Sequence, residues 1–170
     1  MLPGKRVYII GFMGSGKTTA GKKLASKLGW DFLDLDHEIE KIEGKAIRDT
    51  FRESGEEYFR QRESEILKQL VITRDTIISA GGGTPCFGNN MEFMLESGKV
   101  VYLRLTPHQL MERLEKGTDK RPLVKEKSGD ELLQYITIKL TEREEYYLKA
   151  NIIVDSIDLD INKLCEKISG

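Results

Sequence analysis

The chain has little cysteine, no excess of either charge and no long apolar run. Its 170 residues include only 2 cysteines, too few for a disulfide framework, and they form no CxxC pair. With 27 Lys and Arg against 28 Asp and Glu, the net charge of −1 gives no general attraction to nucleic acid or acidic membranes. The apolar stretch near the amino terminus runs directly into glycines and a lysine, which is unlike a signal peptide or a membrane span. We therefore expect one cytoplasmic domain over 1–170, monomeric, without nucleic-acid or membrane partners.

Five short runs rich in β-branched and aromatic residues are predicted to be strands. They lie at 7–10, 32–35, 76–80, 99–105 and 151–155. Helical patterns lie between them, among them 18–28 and 56–70. This alternation predicts a three-layer α/β/α fold with a five-stranded parallel sheet, and ligands are expected at the carboxyl ends of its strands. The segment 115–129 has no regular period and is interpreted as a mobile lid or a plain surface loop.

The stretch GFMGSGKT at 11–18 fits the pattern G-x-x-x-x-G-K-[ST] and lies between a predicted strand and a predicted helix, as the motif requires. Its glycines allow amide groups to turn towards phosphate oxygens at a helix N-terminus, where the helix dipole favours anions. Lys17 adds a positive charge for the β- and γ-phosphates, and the Thr18 hydroxyl can bind Mg²⁺. Nucleoside triphosphate binding is therefore predicted. A GTPase is disfavoured, because the chain has neither a DxxG nor an NKxD motif.

The third predicted strand ends in the glycines Gly81, Gly82 and Gly83, and it lacks the Walker B aspartate of many P-loop proteins. Three glycines together suggest that something approaches the main chain too closely to allow side chains. The missing aspartate makes the second strand the better source of a carboxylate for Mg²⁺.

Asp34 and Asp36 close the second predicted strand, in the stretch FLDLD. Alternate residues of a strand point to the same face, so we expect both carboxylates together at its carboxyl end. Two carboxylates at such a short distance from each other need cations or hydrogen-bond donors nearby, which a metal ion and a polyol would supply. For Asp36 alone, the alternative is that it caps the following helix.

Arg143 belongs to a predicted helix whose apolar stripe consists of Leu133, Ile136, Leu140 and Tyr147. A guanidinium within such a stripe needs an anionic partner. That partner is either structural, such as Glu57 or Glu63, or the carboxylate of a ligand. The periodicity does not distinguish the two.

Arg60 and Arg121 are two further candidates for binding anions. Arg60 can be held by Glu63, three residues further along its helix, although surface ion pairs have the same spacing. Arg121 precedes Pro122 in the segment 115–129. It either closes on a transferring phosphoryl group or faces solvent.

Six ordered motifs resemble those of the shikimate kinase family, a member of the nucleoside-monophosphate-kinase-like branch of P-loop proteins. The motifs are GFMGSGKT, DLD, FRQRE, AGGG, RPL and an arginine in the helix before the last strand, and they extend over nearly the whole chain. The resemblance implies a cytoplasmic transferase of aromatic amino acid biosynthesis that moves the ATP γ-phosphoryl group to the 3-hydroxyl of shikimate with Mg²⁺. It also implies a substrate-binding segment at about 33–63 and a lid at 115–129.

The resemblance also implies roles for individual residues. The nucleotide would be bound by Gly14, Ser15, Gly16, Lys17, Thr18, Thr19, Arg113 and Arg121, with Arg113 and the segment 154–156 against the adenine. Mg²⁺ would be supported by Thr18 and Asp34. Shikimate would be bound by Asp36, Arg60, Gly81, Gly82, Gly83 and Arg143, with the bare glycine backbone against its ring. The catalytic residues would be Lys17, Asp36 and Arg121.

Other functions stay open on the sequence alone. Gluconate kinases and nucleoside monophosphate kinases share the P-loop, the lid and the sheet but use different acceptors. A non-catalytic ATP-binding regulator is a third alternative, and the presence of Lys17, Asp36 and Arg121 together disfavours it.

Overall fold

A five-stranded parallel sheet forms the centre of the molecule. The computed structural model describes residues 2–117, 127 and 129–170. The strands are β1 (Arg6–Ile10), β2 (Asp31–Asp34), β3 (Thr76–Ser79), β4 (Lys99–Arg104) and β5 (Ile152–Asp155). Their order in the sheet is β2-β3-β1-β4-β5, and every neighbouring pair is parallel. The predicted strands and the parallel sheet are confirmed, and their bounds are shifted by at most one residue.

Helices cover both faces of this sheet. Within the described residues they are α1 (Lys17–Leu28), α2 (Leu35–Glu43), α3 (Ile47–Gln69), α4 (Asn90–Ser97), α5 (Pro107–Lys116), α6 (Gly129–Tyr147) and α7 (Ile161–Ser169), with a 3₁₀ turn at Thr84–Cys86. None of these described helices combines the length and the apolar character needed to cross a bilayer.

The core consists of two layers because successive strand residues point to opposite faces. In β1, Val7 and Ile9 join the buried cluster that packs against α1 and α7. Tyr8 and Ile10 join the larger cluster, which packs against α2, α3, α4, α5 and α6. Because β1, β3 and β4 are covered on both sides, their sequences are almost continuously apolar. The predicted three-layer α/β/α architecture is confirmed.

The parallel arrangement brings the carboxyl ends of all strands to one edge. The loop between β1 and α1, the junction of β2 with α2, and the glycines after β3 therefore become neighbours. Most of the predicted lid is not described: 118–126 and 128 lie outside the described residues, between the end of α5 and the start of α6.

Helix α3 bends at Gly55, which has φ 86° and ψ 169°. This combination belongs to a region of backbone space that is essentially restricted to glycine. The second half of α3 starts after the bend and corresponds to the helix predicted at 56–70. It carries Arg60 and Glu63, so the bend sets the direction from which both side chains approach the sheet edge.

We expect Gly55→Ala to lower the free energy of unfolding by ~1–3 kcal/mol, the usual cost of a backbone conformation of this kind. A methyl group at this position would have no heavy atom within 4 Å, so the loss would come from the backbone alone. Chemical denaturation measures it, with Ser54→Ala at the preceding exposed helical position as the control. Equal stabilities of the two variants would contradict the assigned bend.

Candidate functional site at the carboxyl edge of the sheet

The loop before α1 has backbone conformations that suit its glycines. Gly14 and Gly16 have φ values of 80° and 91°. A Cβ on Gly11 would lie 2.7 Å from the Ser15 hydroxyl oxygen. The Lys17 ammonium group donates to the carbonyl oxygens of Gly11 and Phe12, at 2.9 and 3.0 Å. The loop therefore has the conformation predicted for a phosphate-binding loop, and its lysine is hydrogen-bonded to the loop's own carbonyl oxygens.

Asp34 and Asp36 do not lie on one strand face, so this part of the sequence interpretation is wrong. Asp34 ends β2 and caps α2: one carboxylate oxygen accepts from the His37 amide at 3.2 Å, and the other accepts from the Thr18 hydroxyl at 3.3 Å. Because α2 begins at Leu35, Asp36 lies in its first turn. The capping role that was considered for Asp36 belongs to Asp34.

A cleft of about 210 Å³ nevertheless brings both acids to the same place. Its lining consists of Gly14, Gly16, Lys17, Thr18, Thr19, Asp34, Asp36, Ser79, Ala80, Gly81 and Gly82. The phosphate loop, the start of α2 and the glycines after β3 thus form one continuous wall. Ser15 is buried behind this wall, at 1% exposure.

Each glycine of the run 81–83 packs against a different charged side chain. A Cβ on Gly81 would lie 2.8 Å from an Asp36 carboxylate oxygen, and one on Gly83 would lie 2.5 Å from an Arg60 guanidinium nitrogen. A Cβ on Gly82 would lie 3.2 Å from a guanidinium nitrogen of Arg143. The glycines therefore make room for the protein's own charges, which the sequence interpretation did not foresee.

Arg60 is fixed on several sides. Its guanidinium donates to Glu63 at 2.8 Å and lies 4.2 Å from the ring centre of Phe87 and 5.2 Å from that of Phe59. The pair is buried, with exposed side-chain fractions of 15% for Arg60 and 1% for Glu63. The prediction that Glu63 holds Arg60 is confirmed, and the surface ion-pair alternative is wrong.

A series of hydrogen bonds among polar side chains supports Glu63 on the side away from Arg60. Its second carboxylate oxygen accepts from the Thr84 hydroxyl at 2.8 Å, and the Asn90 side-chain amide donates to the Thr84 carbonyl at 2.9 Å. Ser64 donates to Asn90 at 2.6 Å. Burial raises the pKa of Glu63, while the charge of Arg60 and its hydrogen bond act in the opposite direction. The sequence analysis missed Thr84 and Asn90, because nothing in their local pattern distinguishes them from surface turn residues.

Arg143 has a different environment. Its guanidinium carbon lies 5.5 Å from the ring centre of Phe12, and no carboxylate of the described residues is within ion-pair distance of it. The structural partners considered for it, Glu57 and Glu63, are not used. The stripe beside it differs slightly from the prediction, since Leu132 is the buried residue and Leu133 is only half-buried.

Arg113 lies on the outer side of the phosphate loop. It donates to the carbonyl oxygens of Ser15 and Ser156, at 3.1 and 3.4 Å, and the Ser156 hydroxyl donates to the same Ser15 oxygen at 2.6 Å. The structure therefore brings Arg113 and the segment 154–156 together, as expected. Arg121 lies outside the described residues.

Comparison with known proteins identifies the family. The family model described as shikimate kinase matches residues 13–169. A shikimate kinase from Parabacteroides distasonis is 46% identical over 152 residues, which cover 89% of this chain and 88% of that protein. The chain belongs to the shikimate kinase family. The resemblance seen in the six motifs is confirmed, and with it the expectation of an ATP-dependent kinase.

Solved structures of other shikimate kinases share the fold over nearly the full length. The enzyme from Bacteroides thetaiotaomicron matches with a TM-score of 0.90 and 37% identity, covering 97% of this chain and 96% of that one. The enzyme from Acinetobacter baumannii, solved in complex with shikimate, matches with a TM-score of 0.82 and 34% identity, covering 99% and 92%.

We expect Gly83→Ala to destabilise the protein by ~1–3 kcal/mol, because the new methyl group would overpack against the Arg60 guanidinium. Gly83 has φ −92°, which any residue adopts, so the backbone adds no strain. Denaturant unfolding of both single variants and of Gly83→Ala/Arg60→Ala completes a double-mutant cycle. The cost of the methyl group should shrink when Arg60 is absent. An unchanged cost would show that Gly83 is restricted by something other than Arg60.

Proposed function

We propose that this shikimate kinase family member transfers the γ-phosphoryl group of ATP to the 3-hydroxyl of shikimate, giving shikimate 3-phosphate and ADP. The observation that carries the proposal is a cleft lined by the phosphate loop, two acids and the first glycines of the run 81–83, against which Arg60 and Arg143 also pack. We further propose that 1–170 acts as one domain, as a monomer in the cytoplasm, with 33–63 contributing the acceptor site.

The acceptor site follows from the charges at the glycine run. Shikimate carries one carboxylate and three hydroxyls, so two guanidinium groups and one carboxylate complement it. Arg143 has no carboxylate partner among the described residues, so the N–H groups of its guanidinium are available for the ligand carboxylate. Arg60 is already oriented by Glu63 and by aromatic rings, so little of its freedom is lost on binding.

Asp36 would orient the hydroxyl that attacks. It lines the same cleft as Lys17, which supports an acceptor site next to the phosphate loop. Phosphoryl transfer passes through a loose transition state, so positioning and charge stabilisation dominate its catalysis. In our proposal Asp36 aligns the 3-hydroxyl and accepts its proton late, while Lys17 and Arg121 stabilise the charge on the transferring group.

The nucleotide would follow the phosphate loop. Gly14, Ser15, Gly16, Lys17, Thr18 and Thr19 would surround its phosphates, and the N-terminus of α1 supports the negative charge. Lys17 would exchange its bonds with loop carbonyl oxygens for bonds with phosphate oxygens. Arg113, fixed beside Ser156, would lie against the adenine, and 115–129 would close over the site.

The residues at the mouth of the cleft fit a magnesium ion. The hydroxyl of Thr18 and the carboxylate of Asp34 are hard oxygen donors 3.3 Å apart, the ligand type that Mg²⁺ prefers. The His37 amide holds the second Asp34 oxygen and so orients the carboxylate. Mg²⁺ bound there would neutralise charge on the β- and γ-phosphate oxygens.

The direct test is an acceptor screen. With MgATP, we expect ADP release when shikimate is added, and only background release with gluconate, AMP, CMP or no acceptor. Coupled ADP detection measures the rate, and mass spectrometry identifies the phosphorylated product. Transfer to gluconate or to a nucleotide, or ATP binding without transfer to any acceptor, would contradict the proposal.

The two acids should behave differently when each is changed to asparagine. Asp36→Asn is expected to lower kcat by at least about 100-fold, the usual scale for a proton-transfer residue, with little change in the KM for ATP. Asp34→Asn keeps a good helix cap but weakens a metal ligand, so it should raise the Mg²⁺ concentration needed for half-maximal rate. Initial rates at varied ATP and Mg²⁺ separate the two effects. The assigned roles would be contradicted by equal losses of turnover and ATP affinity in Asp36→Asn.

A further inference from the structure

Tyr147 lies one helical turn after Arg143 and forms the end of α6. Its side chain is fully buried, and its hydroxyl donates to the carbonyl oxygen of Gly82 in the glycine run. The two residues are 65 positions apart in the sequence, so this bond ties the last turn of α6 to the edge of the sheet. None of the motifs that indicated the active site includes this tyrosine.

Arg143 contacts the same glycine from the other side. One of its guanidinium nitrogens lies 3.2 Å from the place of a Gly82 Cβ. Burial raises the pKa of the Tyr147 hydroxyl, while the charge of Arg143 lowers it. Arg143 and Tyr147, one helical turn apart on α6, therefore both lie against Gly82.

The two arginines of the acceptor site are held in different ways. Arg60 has a buried carboxylate partner and packs against aromatic rings. Among the described residues, Arg143 has no carboxylate within ion-pair distance, and a long side chain of this kind loses considerable rotamer freedom when it is fixed. The contacts that orient it are therefore Phe12 and the Gly82 main chain, which Tyr147 anchors.

We infer that Tyr147 is a positioning residue for the acceptor: its hydroxyl fixes the Gly82 main chain against which the Arg143 guanidinium packs, and so keeps that guanidinium where the substrate carboxylate would bind. This inference rests on the proposed function. Tyr147 itself is buried behind the glycine run and touches neither the acceptor nor the phosphates. Its effect should therefore appear in acceptor affinity and not in the chemical step.

The chain offers a matched control in Tyr102. The rings of Tyr102 and Tyr147 pack against each other, with centres 5.0 Å apart. The Tyr102 hydroxyl is also buried, but within the described structure it has no hydrogen-bond partner. Tyr102→Phe and Tyr147→Phe thus remove the same atom from the same part of the core, and only the second removes a hydrogen bond to Gly82, the glycine beside Arg143.

The experiment compares steady-state kinetics and thermal stability of the wild type, Tyr147→Phe and Tyr102→Phe. For Tyr147→Phe we expect the KM for shikimate to rise about 3- to 10-fold, the scale of one lost hydrogen bond, with kcat and the KM for ATP within about twofold of the wild type. Tyr102→Phe should leave all three parameters unchanged. Isothermal titration with shikimate alone should show the same ratio of affinities.

A second pair of variants tests whether Tyr147 acts through Arg143. In an Arg143→Lys background, Tyr147→Phe should have little further effect on the KM for shikimate, because the guanidinium that it positions is gone. An unchanged shikimate KM in Tyr147→Phe, or equal increases for shikimate and ATP, would overturn the inference and make Tyr147 a purely structural residue. If the wild type neither binds nor phosphorylates shikimate, the proposed function fails and the inference fails with it.

Discussion

The close packing of three charged side chains against three consecutive glycines is the constraint on which the proposed active site depends. Asp36, Arg60 and Arg143 come from three different helices, α2, α3 and α6, and each occupies the space that a side chain at 81–83 would fill. Their separations are therefore set by the main chain that follows β3, which is itself anchored in the sheet. A catalyst that works by positioning and by preorganised charge needs this rigidity more than it needs any special functional group.

The two arginines beside the glycine run differ in whether the described residues supply a carboxylate partner. Arg60 and Glu63 form a buried pair, and such a pair is costly to desolvate unless its remaining donors and acceptors are bonded. Thr84 provides that bond for Glu63, and Asn90 in turn holds Thr84. Arg143 has no such carboxylate within the described residues. A buried network thus supports one arginine, and in the proposed function the other is available for the acceptor carboxylate, as expected when stability and binding are divided between neighbouring residues.

The fold and the conformation of the phosphate loop could be predicted because their signals are local. Apolar strands alternating with amphipathic helices give the parallel sheet, and the glycines and lysine of 11–18 give the phosphate loop. The errors also have local causes. The alternating pattern of apolar and polar residues predicts that β2 extends one residue further than it does. The cause is Leu35, which continues the apolar pattern of the strand although it already begins α2. In α6 the buried position is Leu132 and not its equally apolar neighbour Leu133.

The remaining features could not be predicted because they are contacts between distant parts of the chain. The bond from Tyr147 to Gly82 and the one from Thr84 to Glu63 depend on which loops meet at the sheet edge, and no periodicity records this. The glycine run shows the same limit: its composition indicates a close approach, but only the packed structure identifies the approaching groups as the protein's own side chains.

Local charge, and not net charge, explains how a chain with a net charge of −1 can attract two anionic ligands. Lys17, Arg60 and Arg143 converge on one edge, together with the N-terminus of α1, whose dipole also favours anions. Glu63 compensates the charge of Arg60 from the buried side, so the pair contributes little to the electrostatic field of the site. The Asp34 carboxylate accepts hydrogen bonds from the Thr18 hydroxyl and the His37 amide. Positive charge is thereby concentrated at Arg143 and around the phosphate loop, the two places where anionic groups of the acceptor and the nucleotide would bind.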